Sequence, residues 1–214
     1  MQNDSSVYRL IRILYLLQDK KHFNYMKLLK LYYFAEKFHL RTYGLFINDD
    51  DFYAMKNGSV ASTAKDVLTK NFNFLNDICE EESDYINNNI TIDFANYNCF
   101  INNQDSSTLS KSALTAIDFS LKHFSRFSQW DLSDITHDYI EWKKHKVKII
   151  NLRIPKVLEN IDDFFLNPEL NDSHFLMKYL RYDPYAEDRE LNDYVYNNYL
   201  HNKKLTEYMN SPLN

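Results

Sequence analysis

The sequence is short of glycine. Its 214 residues include two glycines, Gly44 and Gly58, where average usage of about 7% would give roughly fifteen. Phosphate-binding loops need several glycines at short spacing, and these two stand fourteen positions apart. The sequence therefore excludes a Rossmann nucleotide-binding loop, a P-loop and the G-x-S-x-G turn of serine hydrolases. With only four prolines as well, few turns interrupt the chain, which favours long helices.

Cysteine and long apolar runs are also scarce. The two cysteines, Cys79 and Cys99, cannot form a disulfide framework or a zinc site. No stretch approaches the ~20 apolar residues of a membrane span, and the polar N-terminus lacks the pattern of a secretion signal. We therefore expect a cytoplasmic protein with no membrane contact. The net charge of −5 disfavours a nucleic-acid partner, because phosphate binding usually requires a basic face.

What the sequence does contain is helical periodicity. Apolar spacing predicts a first helix over residues 6–18 and a second over Tyr25 to Tyr43, with Asn24 as its N-cap and Gly44 as its end. The second helix is apolar on most sides, which is typical of a helix at the centre of a core. We expect a mainly α-helical, compact domain around this buried helix over residues 1–150. A helical extension over residues 151–214 is expected to pack on that core.

A small β element is predicted beside the helices. A short β-like run indicates a strand over Phe52 to Lys56, followed by an Asn57-Gly58 turn. Apolar residues that alternate with polar ones from Ile90 to Phe94, with Cys99 to Ile101 after a short turn, predict a small hairpin within residues 90–101. After the Asn57-Gly58 turn, we predict a helix from about Val60 to Leu75 with Ser59 as its cap.

The remaining elements are read from capping residues and charge. The acidic, Asn-rich residues 80–89 are predicted to form a loop. Ser110 is placed to cap one helix, and Asp131 to start the next. The last helix is expected over about residues 184–209.

One pattern leaves a metal-dependent hydrolase open. His137, Glu141 and His145 are spaced four apart, so a continuous helix would place them on one face. Imidazole with carboxylate is zinc-ligand chemistry. The spacing is no established zinc motif, however, and a solvated polar face explains the same residues. We therefore expect no metal, no cofactor and no catalytic residue.

Charge and tyrosine are unevenly distributed in the last third of the chain. Residues 143–157 contain six basic residues and no acid, whereas residues 158–193 contain ten acids and three bases. The basic run keeps a DNA-binding autoregulator open. Tyrosine is enriched in protein interfaces, and an acidic, tyrosine-rich surface suits a basic protein partner. The C-terminal tyrosines are Tyr179 and Tyr208, together with five candidate partner contacts, Tyr182, Tyr185, Tyr194, Tyr196 and Tyr199.

Three stretches together resemble a known family. The first lies between Lys27 and Gly44 and contains KLLKL, YFA, HL and YG. The second is YAMKNGSV, over residues 53–60, and the third is LSDITH, over residues 132–137, with Trp142. In order and spacing they resemble the Panacea domain, also called the SocA-like antitoxin domain, over about residues 7–145. The second stretch departs from the family at Ser59, where proline is common.

The resemblance implies a non-enzymatic protein of a bacterial or phage toxin–antitoxin system, such as a prophage carries. Its members neutralise a protein toxin by direct contact. One founding member instead acts as an adaptor that delivers its toxin to an AAA+ protease, so proteolytic delivery is the alternative. The positions that match the family motifs are either binding residues or fold determinants. They are His39, Tyr43, Lys56, Gly58, His137 and Trp142.

Overall fold

The computed structural model describes residues 6–18, 23–74, 78–102, 109–186 and 189–210, and in these ranges the chain is mainly α-helical. The helices are α1 (Ser6–Leu17), α2 (Tyr25–Tyr43), α3 (Ser62–Leu68), α4 (Glu80–Asn89), α5 (Lys111–Phe124), α6 (Gln129–Thr136), α7 (Ile140–Lys143), α8 (Phe175–Tyr179) and α9 (Arg189–Asn210). Short 3-10 turns occur at Phe72–Phe74 and Ile161–Phe165, and a π-helical turn at Val147–Asn151. None of the described helices has the length and apolar character that crossing a membrane requires.

Helix α2 begins and ends at the predicted residues. The Asn24 side chain accepts a hydrogen bond from the Met26 amide at 2.9 Å, and Gly44 adopts a left-handed φ of 75° and donates its N–H to the Leu40 carbonyl. Thirteen of the nineteen α2 residues are buried. The helix contacts α1, α5, α6 and α9 as well as the strands β1 and β3, so neighbours cover it on several sides.

Six strands form two antiparallel sheets. They are β1 (Phe23–Asn24), β2 (Phe52–Met55), β3 (Gly58–Ala61), β4 (Ile90–Asp93), β5 (Asn98–Ile101) and β6 (Lys156–Leu158), in the orders β1-β5-β4 and β3-β2-β6. The predicted strand near residue 52 and the hairpin at 90–101 are confirmed. In the second sheet, Val60, Tyr53 and Leu158 lie side by side across the three strands.

The segment after residue 150 shares the core of the preceding helices. A single apolar cluster joins α1, α2 and α5 to Phe164, Leu176, Tyr185 and Val195. Strand β6 also pairs with β2, which precedes it by about a hundred positions in the chain. Residues after 150 therefore pack in the same core, while the division into a domain of residues 1–150 and an extension stays a prediction.

The helix predicted from Val60 to Leu75 was wrong at both ends. Residues 58–61 pair with β2 as a strand, and helix α3 begins at Ser62 because the Asp50 carboxylate accepts the amides of Thr63 and Ala64 at 2.8 and 3.0 Å. This cap comes from a distant loop residue, which the local sequence does not indicate. The helix ends at Leu68, shortly before Lys70 takes a left-handed φ of 54°.

Three further boundaries differ from prediction. Residues 80–89 form helix α4 instead of a loop, since three glutamates in its first turn complement the helix dipole. Helix α6 begins at Gln129, where Ser128 caps the Asp131 amide at 3.2 Å. Asp131 is therefore inside the helix. The last helix is described from Arg189, and Pro184 lies in the turn before it.

Candidate functional site

The first family stretch places a buried ion pair at the centre of the molecule. Lys37 Nζ lies 2.5 Å from Glu141 Oε1, and both side chains are inaccessible to solvent. The Tyr33 hydroxyl donates to the same carboxylate oxygen. Lys37 Nζ also lies 3.9 Å from the ring centre of Tyr139. Burial lowers the pKa of Lys37, and the charge of Glu141 opposes this. This pair stabilises the packing of α2 against α7 and is closed to any partner.

A second buried lysine connects the family stretches to one another. Lys30 Nζ donates to the Ser59 carbonyl at 2.7 Å and to Thr136 Oγ1 at 3.4 Å, and burial lowers its pKa to about 7. The Ser59 hydroxyl donates to Glu159 Oε1 at 2.6 Å, and burial raises the pKa of Glu159 to about 8. The hydroxyl that stands in place of the family's proline thus joins the β2–β3 hairpin to the segment after β6.

Gly58 is required by the backbone and by its neighbours. Its φ is 91°, a left-handed value that side chains with a Cβ rarely adopt. A Cβ at this position would lie 1.9 Å from Thr136 Oγ1 and 2.7 Å from Lys30 Nζ. Gly58 therefore allows the hairpin to approach α2 and α6, which is a structural role.

Two further motif residues lie against the same hairpin. Trp142 Nε1 donates to the Met55 carbonyl at 2.8 Å, and the His137 ring lies 3.9 Å from the Trp142 ring, centre to centre. Burial, with a smaller contribution from the charge of Lys30, lowers the pKa of His137 to about 4. A neutral His137 packed on Trp142 contributes to the structure around the hairpin.

The remaining motif positions divide between interior and surface. His39 is buried, with Nδ1 at 2.6 Å from the Leu45 carbonyl and Nε2 at 3.0 Å from Ser112 Oγ. Tyr43 packs beside the His39 ring and is 44% exposed, and Lys56 is exposed in the β2–β3 turn. Tyr43 and Lys56 are therefore the most exposed of the motif residues.

The metal-ligand face that was left open as an alternative requires a continuous helix, and this helix is interrupted. Helix α6 ends at Thr136 and α7 spans only Ile140–Lys143, so His137, Glu141 and His145 do not share a continuous helix. Glu141 is engaged by Lys37 and Tyr33. In the described ranges, no three His, Cys, Asp or Glu side chains are arranged to hold a metal ion.

The candidate C-terminal contacts differ sharply in exposure. Tyr185 is buried, and its hydroxyl donates to the Phe34 carbonyl at 2.9 Å. The rings of Tyr196 and Tyr199 pack on Phe165. Tyr182 and Tyr194 are 42% and 67% exposed, and of the five these two are the most open to a partner. The side chain of Tyr208 lies outside the described part of the chain.

The acidic bias of the C-terminal segment belongs partly to the interior. Glu159, Asp163 and Asp183 are all buried. Lys144 Nζ lies 2.5 Å from Asp163, and the Tyr139 hydroxyl donates to Asp183. The surface of this segment is consequently less acidic than its sequence indicates.

The structure also shows a surface that the sequence interpretation missed. Tyr53, Met55, Val60, Lys156 and Leu158 lie on the side of the β3-β2-β6 sheet that faces away from the core, and we call this surface the outer sheet face. The other side carries the buried Phe52 and Ala54. A groove of about 280 Å³ runs beside the outer sheet face. No local signal in the sequence indicates this face, because β6 pairs with β2 across about a hundred residues.

The comparison with known families agrees with the resemblance that the motif stretches indicate. The family model described as antitoxin SocA-like, Panacea domain, matches residues 28–143, more than half of the chain. This range contains most of α2, the β2–β3 hairpin, α5, α6 and α7, and all six motif positions. No curated protein and no solved structure matches the chain. The chain belongs to the family of SocA-like antitoxins that carry the Panacea domain.

Proposed function

We propose that the protein is the antitoxin of a bacterial or phage toxin–antitoxin system, and that it binds and masks a cognate protein toxin in the cytoplasm. The observation that carries this proposal is the family match over residues 28–143. An antitoxin domain implies a toxin as partner, and direct contact requires a stable scaffold with a surface free for recognition.

The burial of three ionisable residues in or beside the motif stretches supports a binding role. Lys30, Lys37 and Glu141 are closed to solvent, and each is engaged by protein groups. An acid–base catalyst must reach its substrate directly or through one water molecule. These three residues therefore suit the stabilisation of a scaffold better than catalysis.

The C-terminal helix supplies the first candidate contact surface. Tyr194 on α9 is largely exposed, and Tyr182 lies half-exposed with its hydroxyl 3.0 Å from His123 Nδ1. Exposed tyrosine offers a large amphipathic contact area and is enriched in interfaces. We therefore retain Tyr182 and Tyr194 as proposed toxin contacts and leave out Tyr185, whose side chain is in the core.

The test is co-expression with the product of the adjacent reading frame. Induction of that product alone should stop growth, and co-expression of this protein should restore it while the toxin stays abundant. A failure to restore growth, or to co-purify with the toxin, would contradict the antitoxin function. Toxin that disappears only when an AAA+ protease is present would instead assign proteolytic delivery.

A further inference from the structure

We propose that the outer sheet face is a second docking surface of the protein, and that its occupant is an apolar segment of the toxin flanked by acidic side chains. This inference rests on the proposed antitoxin function. The strands that form it are separate from the segment that carries Tyr182 and Tyr194.

The register of the sheet places the apolar side chains of this surface next to one another. Tyr53 pairs with Val60 on one side and with Leu158 on the other, and Met55 pairs with Lys156. Residues directly opposite each other in antiparallel strands point to the same face. Tyr53, Val60 and Leu158 thus form one row across the three strands, and Leu158 is 54% exposed.

The groove gives this face a shape that can hold an extended segment. Tyr53, Met55 and Val60 line it from the sheet, and Lys65 and Asp66 line it from α3. Pro155 and Lys156 line it at β6, where the Lys156 ammonium lies 4.5 Å from the ring centre of Tyr53. A concave, mainly apolar site with a few charged groups at its margin is typical of a binding site.

Basic side chains predominate at the groove, because Lys65 and Lys156 line it while the third charged residue of its lining, Asp66, is buried. The chain that leads into β6, residues 143–157, carries six basic residues and no acid. Lys148, Arg153 and Lys156 are exposed there. Leu152 and Ile154 are exposed beside them, at 66% and 37%. An apolar surface with a basic margin is complementary to an apolar segment that carries acidic residues.

Two other occupants fit these observations less well. A second copy of the chain would bring two basic margins together, which costs free energy. A nucleic acid would meet the basic margin, but its phosphates would leave Met55, Val60 and Leu158 without apolar contacts. A protein segment satisfies both the charge and the apolar surface.

The first arm of the test is photo-crosslinking in the full-length complex. The toxin is the product of the adjacent reading frame, purified with this protein. A benzophenone amino acid at Tyr53 should crosslink to the toxin. The same group at Phe94, which is 60% exposed in the turn between β4 and β5, is the matched control and should not. Crosslinking at Phe94 but not at Tyr53, or a dimer of this protein crosslinked at Tyr53, would overturn the proposal.

The second arm measures affinity. The double variant Lys156→Glu/Leu158→Glu reverses the charge and removes an apolar contact, and it should weaken toxin binding by at least about tenfold, as loss of an interface hot spot does. Phe94→Glu should change affinity by less than about twofold. Circular dichroism and thermal unfolding test whether both variants fold. If the double variant does not fold, the crosslinking arm decides, because it leaves Lys156 and Leu158 unchanged.

The two proposals fail in different ways. If the wild-type protein neither binds the toxin nor restores growth, the antitoxin function is wrong. If the wild-type protein restores growth while the double variant binds with unchanged affinity, the function stands and the docking face is wrong. Binding of a DNA duplex that is lost in Lys156→Glu and kept in Met55→Ser would assign the face to nucleic acid instead.

Discussion

Helices α2 and α9 use polar residues in opposite ways. They have nineteen and twenty-two residues. Helix α2 buries Lys30, Glu36, Lys37 and Arg41, and each is engaged by partner groups from elsewhere in the chain. Of the α9 side chains described, only Asn192 and Val195 are buried. The buried charges of α2 hold the family stretches together, whereas most of the α9 side chains that the structure describes are exposed or half-exposed.

The strongest test of this contrast removes the counter-charge of a lysine that is buried on α2. Glu141→Gln leaves Lys37 buried without its counter-charge, and we expect it to lower the free energy of unfolding by about 3–5 kcal/mol. Urea denaturation measures the effect. The control is Lys37→Met/Glu141→Gln, which removes both charges and keeps an acceptor for the Tyr33 hydroxyl. It should recover most of the loss, and a double variant as unstable as the single one would contradict the account.

The next largest effect is expected at Gly58, where the hairpin approaches Lys30 of α2. Gly58→Ala requires a left-handed residue with a Cβ and a displacement of Thr136, at a cost of about 2–4 kcal/mol. Thermal unfolding detects this loss. Adding Thr136→Ala removes the Oγ1 atom that the new Cβ would meet at 1.9 Å, so it should restore the part of the loss that comes from this clash and leave the parts that come from φ and from Lys30. A stable Gly58→Ala variant would show that the hairpin does not need its close approach.

Acid should lower the free energy of unfolding through His137, which packs on Trp142 beside the hairpin. Its pKa is lowered from 6.5 to about 4, so the unfolded chain binds the proton first as pH falls. Its contribution to stability is present above pH 6.5 and is lost as pH falls through about 4. We expect about 1–2 kcal/mol, less than the full linkage value because solvent screens this half-buried ring.

The matched variant for this prediction is His137→Phe, which keeps an aromatic ring against Trp142. The difference in unfolding free energy between wild type and variant, measured from pH 7 to pH 4, isolates the histidine from the titrating carboxylates. The wild-type protein should lose more stability than the variant over this range. Parallel pH profiles would show that His137 does not contribute to acid sensitivity.

The smallest effect on stability should come from α9. Tyr194→Ser removes a side chain that is 67% exposed, so we expect a change within about 0.5 kcal/mol and, in the complex, weaker toxin binding. The comparison variant is Tyr185→Phe, which deletes the hydroxyl bonded to the Phe34 carbonyl and should cost about 1 kcal/mol. Urea unfolding and calorimetric titration with the toxin give both quantities. A large loss of stability in Tyr194→Ser would contradict the contrast between the buried polar residues of α2 and the exposed side chains of α9.

Elements with local signals could be predicted, and elements stabilised from a distance could not. The cap at Asn24 and the end at Gly44 are within one turn of α2, and both predictions are confirmed. The start of α3 depends on Asp50, thirteen and fourteen positions before the amides that it caps, and the predicted helix there was wrong. The outer sheet face could not be predicted for the same reason, because the pairing of Tyr53 with Leu158 spans more than a hundred residues.

The sequence alone determined a helical protein through its scarcity of glycine and its apolar periodicity. The three motif stretches determined the SocA-like antitoxin family. Tertiary structure decided what each polar residue does. It buried Lys37 with Glu141, separated His137 from His145, and withdrew Tyr185 and three acids from the surface. The physical reason is that burial and charge pairing depend on residues far apart in the chain, whereas propensity and capping act within a few positions.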